Sequence, residues 1–157
     1  MPRPGSSWLY GATWPGHCSR QGGGGGVRAA LPEGLVSEAL RRAPTGRQPT
    51  TGLVVHPDQG SQYSSTNFKT LLARHGAPQS MSRRGNCYDD ARAGSFWSRL
   101  KTELLDGGNF PGLTEARLEI NHYIAYYNTE RRHSALDDHS PDRFETLLQT
   151  TSLFCPA

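Results

Sequence analysis

Five consecutive glycines, Gly22 to Gly26, limit what the first part of this chain can build. Such a run has high backbone entropy and no side chains to pack, so it reads as flexible. A phosphate-cradling loop would need a lysine and a hydroxyl residue at a set spacing, and neither follows Gly26. The chain has 157 residues with 18 Gly, 11 Pro and an apolar fraction of only 34%, so part of it is expected not to fold. Residues 1–34 read as a degenerate Gly/Pro-rich segment, poorly ordered. The folded unit is expected over residues 35–148, followed by an unstructured tail over 149–157.

The periodic signals begin at Leu35. Leu35, Ala39, Leu40 and Ala43 recur at helical spacing, and Pro44 stops that helix. Gly52-Leu53-Val54-Val55-His56 is a short apolar run between Gly52 and Pro57 and predicts a buried strand. Phe68, Leu71 and Leu72 predict a second helix closed by Gly76. Asp89 or Asp90 can cap a third, with Ala93, Phe96, Trp97, Leu100 and Leu104 on its apolar face. Thr114 can cap a fourth, in which Ala116, Ile120, Tyr123, Ile124 and Tyr127 give the clearest amphipathic pattern in the chain. Ser140-Pro141 opens a last short helix with proline in its first position.

A net charge of +3 permits a polyanionic partner without demanding one. The three cysteines, Cys18, Cys87 and Cys155, have neither a zinc-ligand spacing nor the even count of a disulfide framework, so they read as reduced thiols. No run approaches the roughly 18 apolar residues that span a bilayer, and the first ten residues lack the apolar stretch of a signal peptide. A cytoplasmic chain with no membrane partner is the expectation.

Three segments carry residues suited to chemistry. Asp58, in His56-Pro57-Asp58-Gln59-Gly60-Ser61, follows the predicted strand. At the carboxyl end of a strand, a carboxylate faces the crevice where α/β proteins bind ligands, although Asp, Gly and Ser also simply make turns. Arg83 and Arg84 lie on a loop of small and hydroxyl residues that can contact phosphates or be merely solvated. Arg131, Arg132 and His133 follow an aromatic helix end, where cations also favour the free carbonyls and the helix dipole.

Taken in order, the runs HPDQGSQYSS…F, SMSRRGNCYDDA…SFWSRLKTELL and EAR…I…YI…YYNTERRHSALDDHSP…F resemble the catalytic-frame product of a large group of bacterial insertion-sequence transposases. These belong to the DDE integrase, RNase H-like superfamily, and the resemblance covers roughly residues 35–148. It implies an α/β integrase core acting in DNA integration and transposition by metal-dependent strand cleavage and transfer. Three carboxylates in that family hold two Mg²⁺ or Mn²⁺ ions about 4 Å apart, which stabilise the attacking and leaving oxygens at a DNA phosphate. The implied partners are DNA, as element ends and target, and other transposase subunits.

By the same resemblance, Asp58 matches the second family aspartate. The family glutamate follows a spacer of 35 residues, and the 35 residues from Gln59 to Ala93 put position 94 in that slot; here it is Gly94. The lysine typical seven residues later is present as Lys101. Seven residues are nearly two α-helical turns, so 94 and 101 share a face, while Glu103 falls on roughly the opposite side. Ser7-Trp8-Leu9-Tyr10 resembles a family motif that follows the first strand, which places the first aspartate before Met1. Trp14-Pro15-Gly16-His17 and the glycine run stand where apolar strands are expected. The N-terminal strands are thus expected to be missing or damaged, leaving an incomplete sheet and a mostly helical C-terminal half.

Loss of a metal-binding carboxylate implies a catalytically inactive copy, with Asp58 the remaining metal ligand. The alternatives are a DNA-binding fragment gripping through Arg83, Arg84, Lys101, Arg131 and Arg132, or one that joins and poisons oligomers of an intact transposase. A rearranged active site recruiting Asp89, Asp90 or Glu103 is a further alternative, and a chain with no function at all is the last.

Overall fold

In the computed structural model, residues 9–29, 34–43, 53–57, 61–80, 87–105 and 110–151 are described, the side chains of 61–62 and 87–93 excepted. Strands β1 (Tyr10–Pro15) and β2 (Gly22–Arg28) are followed by helices α1 (Gly34–Arg42), α2 (Thr66–Arg74), α3 (Cys87–Leu100), α4 (Leu113–Thr129) and α5 (Pro141–Thr151). The glycine run expected to be flexible is therefore most of a strand. It pairs antiparallel with β1, from Tyr10 opposite Arg28 to Pro15 opposite Gly22, with a bulge between Ala12 and Trp14.

Glycine in a strand marks close approach by another element, and that accounts for this strand. A Cβ on Gly25 would lie 2.9 Å from Cδ1 of Ile124 on α4, and one on Gly26 3.1 Å from Cδ1 of Leu35 on α1. The bare backbone lets helices close on it from both faces. At the start of β2, the Asn128 side chain accepts from the Gly22 amide at 2.8 Å and donates to the Gly22 carbonyl at 2.9 Å. These bonds tie the end of α4 to a segment that has no side chain of its own to anchor it.

Two apolar clusters flank the hairpin. On one side Val27, Phe96, Leu100, Ile120, Tyr123 and Tyr127 join β2, α3 and α4. On the other Val36, Leu40, Val55, Phe68, Leu72 and Ala77 join α1 to α2, with Trp14 of β1 packed against them. Trp14 stacks on Phe68 with centroids 5.9 Å apart and donates from its indole to the Val36 carbonyl at 3.3 Å. Helices thus lie over both faces of the small sheet, the layering expected for an α/β domain.

Several sequence expectations shift. Instead of a buried strand over 52–56, only Val55 pairs, in a one-residue parallel bridge with Gln79. Leu53 and Val54 are exposed because, among the described residues, nothing packs over them. Helix α4 starts at Leu113 after Gly112, so Thr114 is inside the helix and not its cap. Asp89 and Asp90 likewise fall inside α3.

Helix α5 runs to Thr151, past the expected start of the tail. The Thr150 and Thr151 hydroxyls donate to carbonyls four residues back, which supports the last turn without an apolar pattern. Cys18 is disulfide-bonded, contrary to the expectation of reduced thiols. Among the described residues no helix is long and apolar enough to cross a membrane.

The second helix begins where a hydroxyl residue caps it. Ser65 is extended, and its Oγ accepts from the Phe68 amide at 3.3 Å. Ser65→Ala is expected to cost about 1 kcal/mol, read as a lowered urea midpoint with an unchanged slope.

Candidate functional site

Helix α3 presents its apolar side to the core through Phe96 and Leu100, while Gly94 is exposed. A Cβ at Gly94 would meet nothing within 4 Å. Packing therefore does not require glycine there, and a longer side chain would project into open space. Asp58, Arg83 and Arg84 lie outside the described residues, so their relation to Gly94 is a matter of sequence alone.

Lys101 is exposed, at the start of a π-helical turn over Lys101–Leu105. Such turns widen the spacing between bonded residues. The 3.6-residue count that put Lys101 on the face of Gly94 and Glu103 opposite it is therefore valid only as far as Leu100. Thr102 keeps an α-like link, its hydroxyl donating to the Ser98 carbonyl at 3.0 Å.

That turn brings Glu103 into a network that spacing could not show. Arg131 donates to the Glu103 carboxylate from Nη2 at 2.6 Å and from Nε at 3.1 and 3.2 Å. The Tyr123 hydroxyl donates to the same carboxylate at 2.9 Å. The Arg131 hydrogen bonds hold the Glu103 carboxyl below its usual range, and the Tyr123 bond assists. Burial, reinforced by Glu103, pushes the Tyr123 phenol up.

Arg131 also stands 5.9 Å from the centre of the Tyr127 ring, within cation–π reach. Its guanidinium joins the ends of α3 and α4, and its Nη1 also donates to the Arg132 carbonyl at 3.5 Å. Arg132 is exposed. Glu103 is thereby committed to Arg131 and Tyr123.

His133 is buried against Tyr127, centroids 4.8 Å apart, and its Nε2 has no hydrogen-bond partner among the described residues. Burial, and then the positive charge of Arg131, lowers its pKa to about 4. It is a neutral packing residue, not a cationic contact.

Among the described residues no three His, Cys, Asp or Glu side chains gather where a metal ion could sit. Gly94, which the family resemblance puts in the glutamate slot, offers no donor atom. The described residues therefore do not fit the two-metal site that the family resemblance implies.

Comparison with known proteins agrees with this architecture. The fold is shared with retroviral integrase catalytic cores. The magnesium complex of the HTLV-2 integrase core superposes with a TM-score of 0.60 at 13% identity, over 87% of this chain and 92% of that one. The BIV integrase core gives 0.57 at 15% identity, over 94% and 99%. The molecule thus has the RNase H-like α/β fold of these cores.

The Integrase core domain family matches residues 75–141. The transposase of insertion sequence element IS904 from Lactococcus lactis is 44% identical over 128 residues, 81% of this chain and 51% of that protein. Transposase InsF of insertion sequence IS3A from Escherichia coli is 35% identical over 144 residues, 91% of this chain and 50% of that protein. The chain is similar to insertion-sequence transposases over most of its own length, carries the Integrase core domain match, and spans about half the length of these relatives.

Proposed function

We propose that this chain is a transposase catalytic-core relative that engages DNA in the cytoplasm without cutting it. The observation that carries the reading is Gly94, exposed on α3 in the slot where the family resemblance requires a metal-binding glutamate. Two-metal phosphoryl transfer depends on carboxylates that fix both ions against the attacking and leaving oxygens. With Gly94 in the slot and Glu103 engaged by Arg131, no described residue replaces the lost ligand. By the family resemblance Asp58 is the carboxylate left to this site; Lys101 and Arg132 offer exposed cations, and Arg83 and Arg84 add two more by sequence ahead of α3.

Its partners on this reading are DNA and the subunits of an intact transposase. The test incubates the purified chain and its Gly94→Glu variant with Mn²⁺ and end-labelled element termini. Both are expected to leave the strands intact, since the variant restores one carboxylate of three. Nicking by the parent chain that disappears in Asp58→Ala would overturn the proposed inactivity.

A further inference from the structure

A cleft of about 330 Å³ runs along β2, between α1 and α4, lined by Gly25, Gly26, Arg28, Glu38, Arg42 and Arg117 among others. Its size is at the small end of the range for ligand-binding cavities. No described residue of α3 lines it, and Gly25 and Gly26 of the glycine run do.

The charge of this cleft is uneven. Among the described lining residues three guanidiniums meet one carboxylate, an excess of two positive charges. Glu38 bridges Arg28 and Arg42, accepting at 2.5 Å from each. The Arg28 hydrogen bond, with both nearby arginines, holds the Glu38 carboxyl below its usual range, so it stays ionised at neutral pH.

Each arginine is also held near the strand. Arg42 donates to the Gly25 carbonyl at 3.2 Å, and Arg117 donates from Nε to the Val27 carbonyl at 3.1 Å. A guanidinium has five N–H donors in a planar fork suited to phosphate, and these anchors use only some of them. The Gly25 and Gly26 backbone lines the cleft beside these guanidiniums, while the space a Cβ would take at each is filled by Ile124 and Leu35.

We infer that this cleft seats backbone phosphate of DNA, a contact distinct from the catalytic face. The choice of DNA over a free anion rests on the transposase reading above; the cleft itself shows chemistry for a phosphate group. Glu38 acts as the internal competitor, occupying donors that a phosphate would otherwise take. Phosphate contacts position a protein on DNA without reading its sequence, so the contact is sequence-independent.

The test measures binding of the full chain to a labelled duplex by fluorescence anisotropy across a chloride series. Arg28→Gln and Arg117→Gln are each expected to flatten the slope of log K against log salt by about one unit, the value for one lost phosphate contact. Glu38→Gln is expected to tighten binding, a direction that misfolding cannot produce. Circular dichroism confirms that each variant folds.

Parent binding with unchanged slopes in both arginine variants, and no gain in Glu38→Gln, would overturn the cleft while leaving the DNA reading standing. No duplex binding by the parent chain would overturn both. Saturable displacement of the duplex by inorganic phosphate, at ionic strength matched with chloride, would identify a free-phosphate site and overturn the assignment to DNA.

Discussion

Phe96→Ala is expected to lower the free energy of unfolding by about 3–5 kcal/mol, the range for deleting a buried phenyl ring. Small domains are stable by about 5–15 kcal/mol in total, so the variant should be largely unfolded well below the parent's urea midpoint. The reason lies in what the ring joins. It is 1% exposed and meets Tyr127 edge-on at 4.9 Å, with Trp97 at 5.5 Å and Tyr123 at 6.4 Å.

The Phe96 ring also faces β2, where a Cβ on Gly22 would lie 3.4 Å from its edge. Removing it therefore opens a cavity between α3, α4 and the glycine start of β2, where Gly22 has no side chain to fill the space. Urea unfolding followed by circular dichroism measures the effect. A loss below about 1 kcal/mol would show that α3 is held some other way.

This aromatic cluster was legible in the sequence because it follows simple helical periodicity. Ala116, Ile120, Tyr123 and Tyr127 are all buried, as their spacing predicts, and so are Phe96 and Leu100. The glycine run was misread for a physical reason. Propensity treats glycine as lost packing, yet Gly25 and Gly26 sit where Ile124 and Leu35 need the space that a Cβ would take. That need arises from helices distant in sequence, so no local pattern reports it. Val54 erred in the opposite direction: its apolar character predicts burial, but it is 55% exposed.

The site was legible in a similarly divided way. The Gly94 slot rests on counting against a family pattern; the structure adds only that Gly94 is exposed on α3 with open space beside it. The Glu103–Arg131 pair spans 28 residues and depends on a π-helical turn that no spacing rule anticipates. Glu38 and Arg42 are four residues apart, a pair that helical spacing could have flagged. Their convergence with Arg28 and Arg117 depends on where the glycine strand runs, and so was hidden along with it.

Acidification should destabilise the fold through His133 before it reaches the carboxylates. Folded, His133 has a pKa of about 4 against an ordinary 6.5, because burial and the nearby Arg131, Arg20 and Arg99 disfavour its cation more than Glu103 supports it. The unfolded chain therefore binds a proton there that the folded chain refuses. Its contribution to stability is complete above pH 6.5 and is lost progressively as pH falls from 6.5 toward 4, by roughly 3 kcal/mol at about 1.4 kcal/mol per unit.

Glu103 is shifted down from 4.5, so its own contribution is present above 4.5 and disappears only below it. Between pH 6.5 and 4.5 the loss attributable to this network is therefore His133's alone. His133→Gln, which cannot take up the proton, should flatten that part of the profile, even though it is less stable than the parent at pH 7. Urea midpoints measured every half unit from pH 7.5 to 4.5 separate the two cases. Parallel profiles for parent and variant would mean that His133 is as easily protonated in the fold as outside it, and that its burial against Tyr127 does not exclude the charge.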